Sequence, residues 1–99
     1  MVYTMSGQTI VVAAEGQVSC DLVDEVAILD LKSGVYFGLN AVGARIWKLI
    51  QEPKTVNEVC DALLEEYDVA FERCEQDVVV LLQELAAHGL IESKNGSAL

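Results

Sequence analysis

The sequence predicts an α+β domain, with its strands first and its helices after. Three observations carry that prediction. Up to Leu39, apolar residues fall in short runs of strand length, one of them (Val18 to Leu22) strictly alternating, punctuated by glycines. At Asn40 the period changes to that of an α-helix. From there to Gly89, helical stripes run between the chain's only proline, a capping box and a terminal glycine.

Each element follows from its residues. Residues 1–8 hold Ser6-Gly7-Gln8 and little periodicity, and read as a flexible N-terminus. Thr9 to Ala14 is a short apolar strand, closed by Glu15-Gly16. Val18, Cys20 and Leu22 alternate with Ser19 and Asp21, the pattern of a half-buried strand. After a turn at Asp24-Glu25, Val26 to Leu31 forms the next strand. Lys32-Ser33-Gly34 suits a tight hairpin with Gly34 in the left-handed conformation, and Val35 to Leu39 returns. The first third is thus an antiparallel meander of three or four strands.

Asn40 can cap a helix from Ala41 to Gln51, which carries Val42, Ile46, Trp47, Leu49 and Ile50 and stops before Pro53. Thr55 and Glu58 form a capping box for a second helix reaching Tyr67. Its stripe is Val56, Val59, Cys60, Leu63, Leu64 and Tyr67. A third helix runs from Phe71 to His88, with Cys74, Val78, Leu81, Leu82 and Leu85 on its core side. The run Val78 to Leu82 covers the whole helix circumference at about 100° per residue, so one packed face cannot bury it. Val80 falls opposite the main stripe and Val79 beside it, either simply exposed or flanking a groove that something apolar fills. Leu90-Ile91 packs back, and residues 93–99 read as a flexible tail. Residues 9–92 therefore make one domain of winged-helix-like arrangement.

Composition narrows the function. The 99 residues carry 16 acids against 6 bases, a net charge of −10. The third helix, which would read DNA in a winged helix, holds Glu72, Glu75, Asp77 and Glu84 against Arg73, so nucleic acid is not expected as a partner. No apolar run is long enough for a membrane span, and no basic segment marks a signal peptide. Cys20, Cys60 and Cys74 fit a reduced, cytoplasmic chain. Their spacing matches no metal motif, so no cofactor is expected. Cys60 and Cys74 fall on helix stripes, while Cys20 on its strand leaves a weak redox reading open. His88, just before Gly89, suits a helix C-terminus better than a catalytic role. With no nucleophile or phosphate-binding motif and only scattered carboxylates, the inventory favours a binding module over a small hydrolase.

The stretch Glu25-Val-Ala-Ile-Leu-Asp-Leu-Lys-Ser-Gly-Val-Tyr-Phe-Gly-Leu-Asn-Ala-Val-Gly-Ala-Arg-Ile-Trp47 resembles the PqqD-like family. Thr55-Val-Asn-Glu58, Glu65-Glu-Tyr-Asp-Val69 and the series Asp77, Leu81-Leu82, Glu84-Leu85, Gly89-Leu-Ile91 extend the resemblance over residues 9–92. It departs at Ala70-Phe71, where the family often has Asp-Pro, which leaves the third helix a poor N-cap. The resemblance implies a recognition element that binds the leader of a ribosomally made precursor peptide and delivers it to a separate maturation enzyme. The hairpin looks closer to the lasso-peptide branch, whose partner is a leader peptidase. The alternatives are the pyrroloquinoline quinone branch, with a radical enzyme as partner, and a scaffold that holds the enzyme without touching the leader.

In that family the leader adds as a strand to the sheet edge and lies against the third helix. Here the backbone of Val35, Tyr36, Phe37, Gly38 and Leu39 would pair with it. Cys74, Asp77, Val78, Leu81 and Leu85 would wall the groove, with Asp77 and Glu84 receiving a basic leader residue. The side chains of Tyr36 and Trp47 read as core. An edge this unprotected could instead be covered by the chain's own N-terminal segment, or pair with a second copy as a homodimer.

Overall fold

The computed structural model describes residues 5–22 and 25–94. Most of the turn at Asp24-Glu25, residues 1–4 of the N-terminal segment and residues 95–99 of the tail lie outside the described residues. Among the described residues, six strands and three helices follow in the order β1 (Ile10–Ala13), β2 (Gln17–Leu22), β3 (Glu25–Asp30), β4 (Tyr36–Leu39), α1 (Ala41–Leu49), β5 (Lys54–Thr55), α2 (Val56–Glu66), α3 (Phe71–Ala87) and β6 (Ile91–Lys94).

The strands β2, β3 and β4 form the expected antiparallel meander, with β3 central and β2 and β4 at its edges. The turn into β4 is fixed by Asp30, whose carboxylate accepts from the Lys32 N–H at 3.1 Å and the Ser33 hydroxyl at 2.9 Å. Gly34 there has φ +72°, the left-handed conformation that a side chain resists.

Strand β1 is not the fourth strand of this meander. It pairs antiparallel with β5 on one side and β6 on the other, in a second three-stranded sheet. Periodicity reveals a strand but not its partners, and both partners here are short and polar. Ser93 and Lys94 belong to β6, opposite Val11 and Ile10, and not to a flexible tail. Residues 5–8 are likewise held. Met5 is buried, Ser6 N–H donates to Thr9 Oγ1 at 2.9 Å, and Asn57 N–H donates to the Gly7 carbonyl at 2.9 Å. The reason is that the first amides of a helix lack partners within it. For α2 they find the carbonyls of Thr9 and Gly7 and the Thr55 hydroxyl, while Glu58 returns the contact to Thr55 N–H at 2.8 Å.

The helices obey their sequence signals. Asn40 Oδ1 caps α1 through Gly43 N–H at 2.9 Å. The N-cap of α3, Ala70, offers no side-chain bond, as the missing Asp-Pro implied. Gly89 ends α3 with φ +73°. Ile28 from β3, Ile50 after α1, Val59 from α2, Leu82 and Leu85 from α3, and Leu90 meet in one core. Trp47 is buried in it, with its indole N–H lacking a hydrogen-bond partner among the described residues. Val80 is 54 % exposed and Val79 only half-buried, as the continuous apolar run of α3 required.

Candidate functional site

Edge strand β4 is the natural starting point. Asp30 N–H donates to the Val35 carbonyl at 3.0 Å. The β3–β4 register pairs Leu29 with Tyr36, Ile28 with Phe37, Ala27 with Gly38 and Val26 with Leu39. In an antiparallel ladder, hydrogen-bonded and non-bonded pairs alternate. Counting from Asp30 and Val35, Phe37 and Leu39 turn their amides and carbonyls to β3. Those of Tyr36 and Gly38 then point away from the sheet. Among the described residues no strand pairs with them, since β1 lies in the other sheet. The edge is therefore not covered by the N-terminal strand, and it can accept an extended backbone.

Side chains alternate with the same period. Phe37 and Leu39 face inward with Ile28 and Val26, while Tyr36 turns outward and is 69 % exposed, contrary to its reading as core. Val35 precedes the strand. Its N–H donates to Ser33 Oγ at 3.2 Å, so it belongs to the turn.

Beside the inner end of β4 lies an apolar cavity of about 480 Å³, within the size range of ligand pockets. Gly38 and Leu39 form one wall, and Cys74, Asp77, Val78 and Leu81 of α3 form another. These six residues, all singled out from the sequence, meet at one place. The other five stand elsewhere. Val35 and Tyr36 are on the turn and the outer face, Phe37 packs against His88, Leu85 is fully in the core, and Glu84 is exposed away from the lining. Sequence reasoning missed the remaining walls: Asn40, Val42, Gly43 and Ile46 around α1, Leu63 and Tyr67 from α2, and Val69 from the connection. A glycine inside a helix was the available signal. A Cβ on Gly43 would come within 3.2 Å of Leu39 Cβ, so its absence is what lets α1 approach β4.

The cavity's chemistry is quiet. Asp77 supplies its charge and meets Arg73 at 3.5 Å in an ion pair exposed on both sides, which adds little stability. The Cys74 thiol contacts that of Cys60 behind the wall. Burial pushes Cys60 up to about 12 and raises Cys74 as well, so both remain neutral thiols and not nucleophilic thiolates. Arg45 binds Glu66, with Nε to Oε2 at 2.8 Å and Nη2 to Oε2 at 2.7 Å, and so braces α1 against α2. The carboxylate raises the Arg45 pKa further. Among the described residues no cluster of His, Cys, Asp and Glu could hold a metal ion, and no helix is long and apolar enough to cross a membrane. The arrangement can seat an extended peptide on the β4 edge, with an apolar side chain in the cavity.

A family model described as coenzyme PQQ synthesis protein D (PqqD) matches residues 25–91. No curated protein matches the chain. Among solved structures, TbiB1 in complex with the TbiA(beta) leader peptide is 42 % identical, with TM-score 0.77, covering 82 % of this chain and 94 % of its own. A lasso peptide synthetase B1 complexed with the leader peptide superposes with TM-score 0.74 at 23 % identity, over 83 % of this chain and 96 % of its own, and so attests the fold.

Proposed function

The chain belongs to the PqqD family, and from that premise we propose that it is a non-catalytic leader-peptide-binding protein. It captures a ribosomally made precursor by strand addition at β4 and delivers it to a separate maturation enzyme, the leader peptidase of a lasso-peptide pathway. The observation that carries this reading is the open β4 edge, with the outward amides and carbonyls of Tyr36 and Gly38, directly beside the apolar cavity. The solved complex of TbiB1 with a leader peptide, at 42 % identity, supports it.

Backbone pairing supplies affinity, and the cavity supplies selectivity for an aliphatic or aromatic leader residue. Asp77 at the rim favours a basic neighbour. Ordering a flexible leader is costly, so affinity near the micromolar range is expected. We take the recognition unit as residues 9–92, with Met5 to Gln8 packed onto it and β6 reaching Lys94.

The test is fluorescence anisotropy of a labelled leader from the precursor encoded beside this gene. Saturable binding that a scrambled leader loses supports the proposal. No binding at tens of micromolar overturns it in favour of a scaffold that holds the enzyme alone. The family description favours one second reading, a peptide chaperone for a radical enzyme of quinone biosynthesis. Challenge with leaders from both kinds of precursor separates the two.

A further inference from the structure

Two of the chain's three cysteines stand on neighbouring helices at the cavity. Cys60 lies on α2 and Cys74 on α3, and their thiols are in contact. Cys60 is fully buried, while Cys74 keeps 6 % exposure and lines the cavity. About one turn further along each helix, Leu63 and Val78 line the same cavity. The thiol pair therefore sits at the joint between the two helices, with its outer member open to what enters the cavity. Cys20 stands apart from them on β2. Two thiols in contact, one of them reachable, can do what a solitary buried cysteine cannot: they can close a disulfide.

We propose that Cys60 and Cys74 form a reversible disulfide site, oxidised through the cavity by a small-molecule disulfide, and that the bond narrows the cavity against the leader. The effect on the leader rests on the strand-addition reading of β4; the disulfide itself does not. In the first step Cys74, as its thiolate, attacks one sulfur of the small disulfide. The S–S bond of the small molecule breaks, and its other half leaves as a thiolate that takes up the proton Cys74 released. Cys60 then gives up its proton and attacks Cys74 Sγ, which closes the protein disulfide and expels the second small thiol. Two protein thiols have lost two electrons and two protons, and one small disulfide has become two thiols. A dithiol reductant runs the same steps backwards. Burial keeps both thiols protonated at rest, so exchange is slow and either state persists once formed. The new bond is about 2 Å long, well inside the separation of two unbonded sulfurs. Closing it draws α3 toward α2, and in a close-packed interior Leu63 and Val78 move with their helices and narrow the space between them. By linkage, a leader that occupies the cavity opposes the disulfide to the same degree that the disulfide opposes the leader.

The experiment incubates the reduced full-length chain with oxidised glutathione, alkylates the remaining thiols and maps the product with trypsin. Cleavage after Arg73 puts Cys60 and Cys74 on separate peptides, so a bond between them is read directly. The expected product is a Cys60–Cys74 link that forms more slowly at saturating leader. Leader affinity, measured by anisotropy, should fall at least about fivefold in the oxidised chain. Dithiothreitol should restore it, which separates the effect from unfolding. Cys60→Ala should halt the reaction at a glutathione adduct on Cys74, which fixes the order of attack. Absence of a Cys60–Cys74 link, or a link that leaves leader affinity unchanged, overturns the proposal. Failure of the reduced chain to bind leader overturns the β4 reading instead, while the peptide map still decides whether the disulfide forms.

Discussion

The rings of Phe37 and His88 meet with centroids 4.4 Å apart and planes inclined at 58°, joining edge strand β4 to the C-terminal end of α3. His88 N–H also donates to the Glu84 carbonyl at 3.2 Å, so one residue caps the helix and holds the strand. His88→Ala is expected to destabilise the fold by about 1 kcal/mol, and His88→Phe to restore most of it. Urea denaturation of both variants checks this.

Proline scanning of β4 tests the edge directly. Tyr36 begins the strand and its N–H points outward, so Tyr36→Pro removes no ladder bond from the fold. It should weaken leader binding at least about tenfold with little change in melting, while Tyr36→Ala separates loss of the ring from loss of the amide. Phe37 N–H faces β3, so Phe37→Pro should unfold the sheet. Equal effects of proline at 36 and 37, read by anisotropy and circular dichroism, would mean that the register is wrong.

Neighbouring residues on α3 separate groove from solvent. Leu81 lines the cavity, and Val80 does not. A carboxylate at 81 must be desolvated when an apolar leader side chain enters, so Leu81→Asp should abolish measurable leader binding and cost about 1–3 kcal/mol of stability. Val80→Asp should leave affinity and melting temperature nearly unchanged. Anisotropy with thermal melts on the pair decides it.

The buried thiol of Cys60 sets an alkaline limit. Its folded pKa, about 12, lies above its ordinary value near 9.0, because burial disfavours the thiolate. The unfolded chain therefore releases this proton first. The associated stability is complete below pH 9 and is lost progressively as pH rises toward 12. Urea midpoints should fall over that interval, and Cys60→Ala should flatten the fall even though it lowers stability at neutral pH.

The meander, the three helices and their caps were legible because each rests on local chemistry. Asn40, Thr55 with Glu58, Gly34 and Gly89 all act within a few residues of themselves. The second sheet was not legible. Lys54-Thr55 and Ile91–Lys94 carry no strand pattern of their own, and become strands only because β1 offers both its edges. The candidate site divides in the same way. The α3 residues Cys74, Asp77, Val78 and Leu81 share one helix by their spacing, but their place in a groove beside β4 followed from the family resemblance. Val42, Ile46, Tyr67 and Val69 come from elements whose relative packing no periodicity encodes. Leu85, read both on the core side of α3 and in the groove wall, lies wholly in the core, because helical spacing does not say where core ends and groove begins.

The pairing of Ile10 with Lys94 sets the first and last described strands side by side in one sheet, these two residues about 5 Å apart. Neither strand belongs to the sheet that carries β4. A domain whose first and last strands are neighbours can be spliced into a surface loop of another protein at modest cost in loop-closure entropy. It would work there as a portable module, its two attachments sharing one small sheet while β4 stays free.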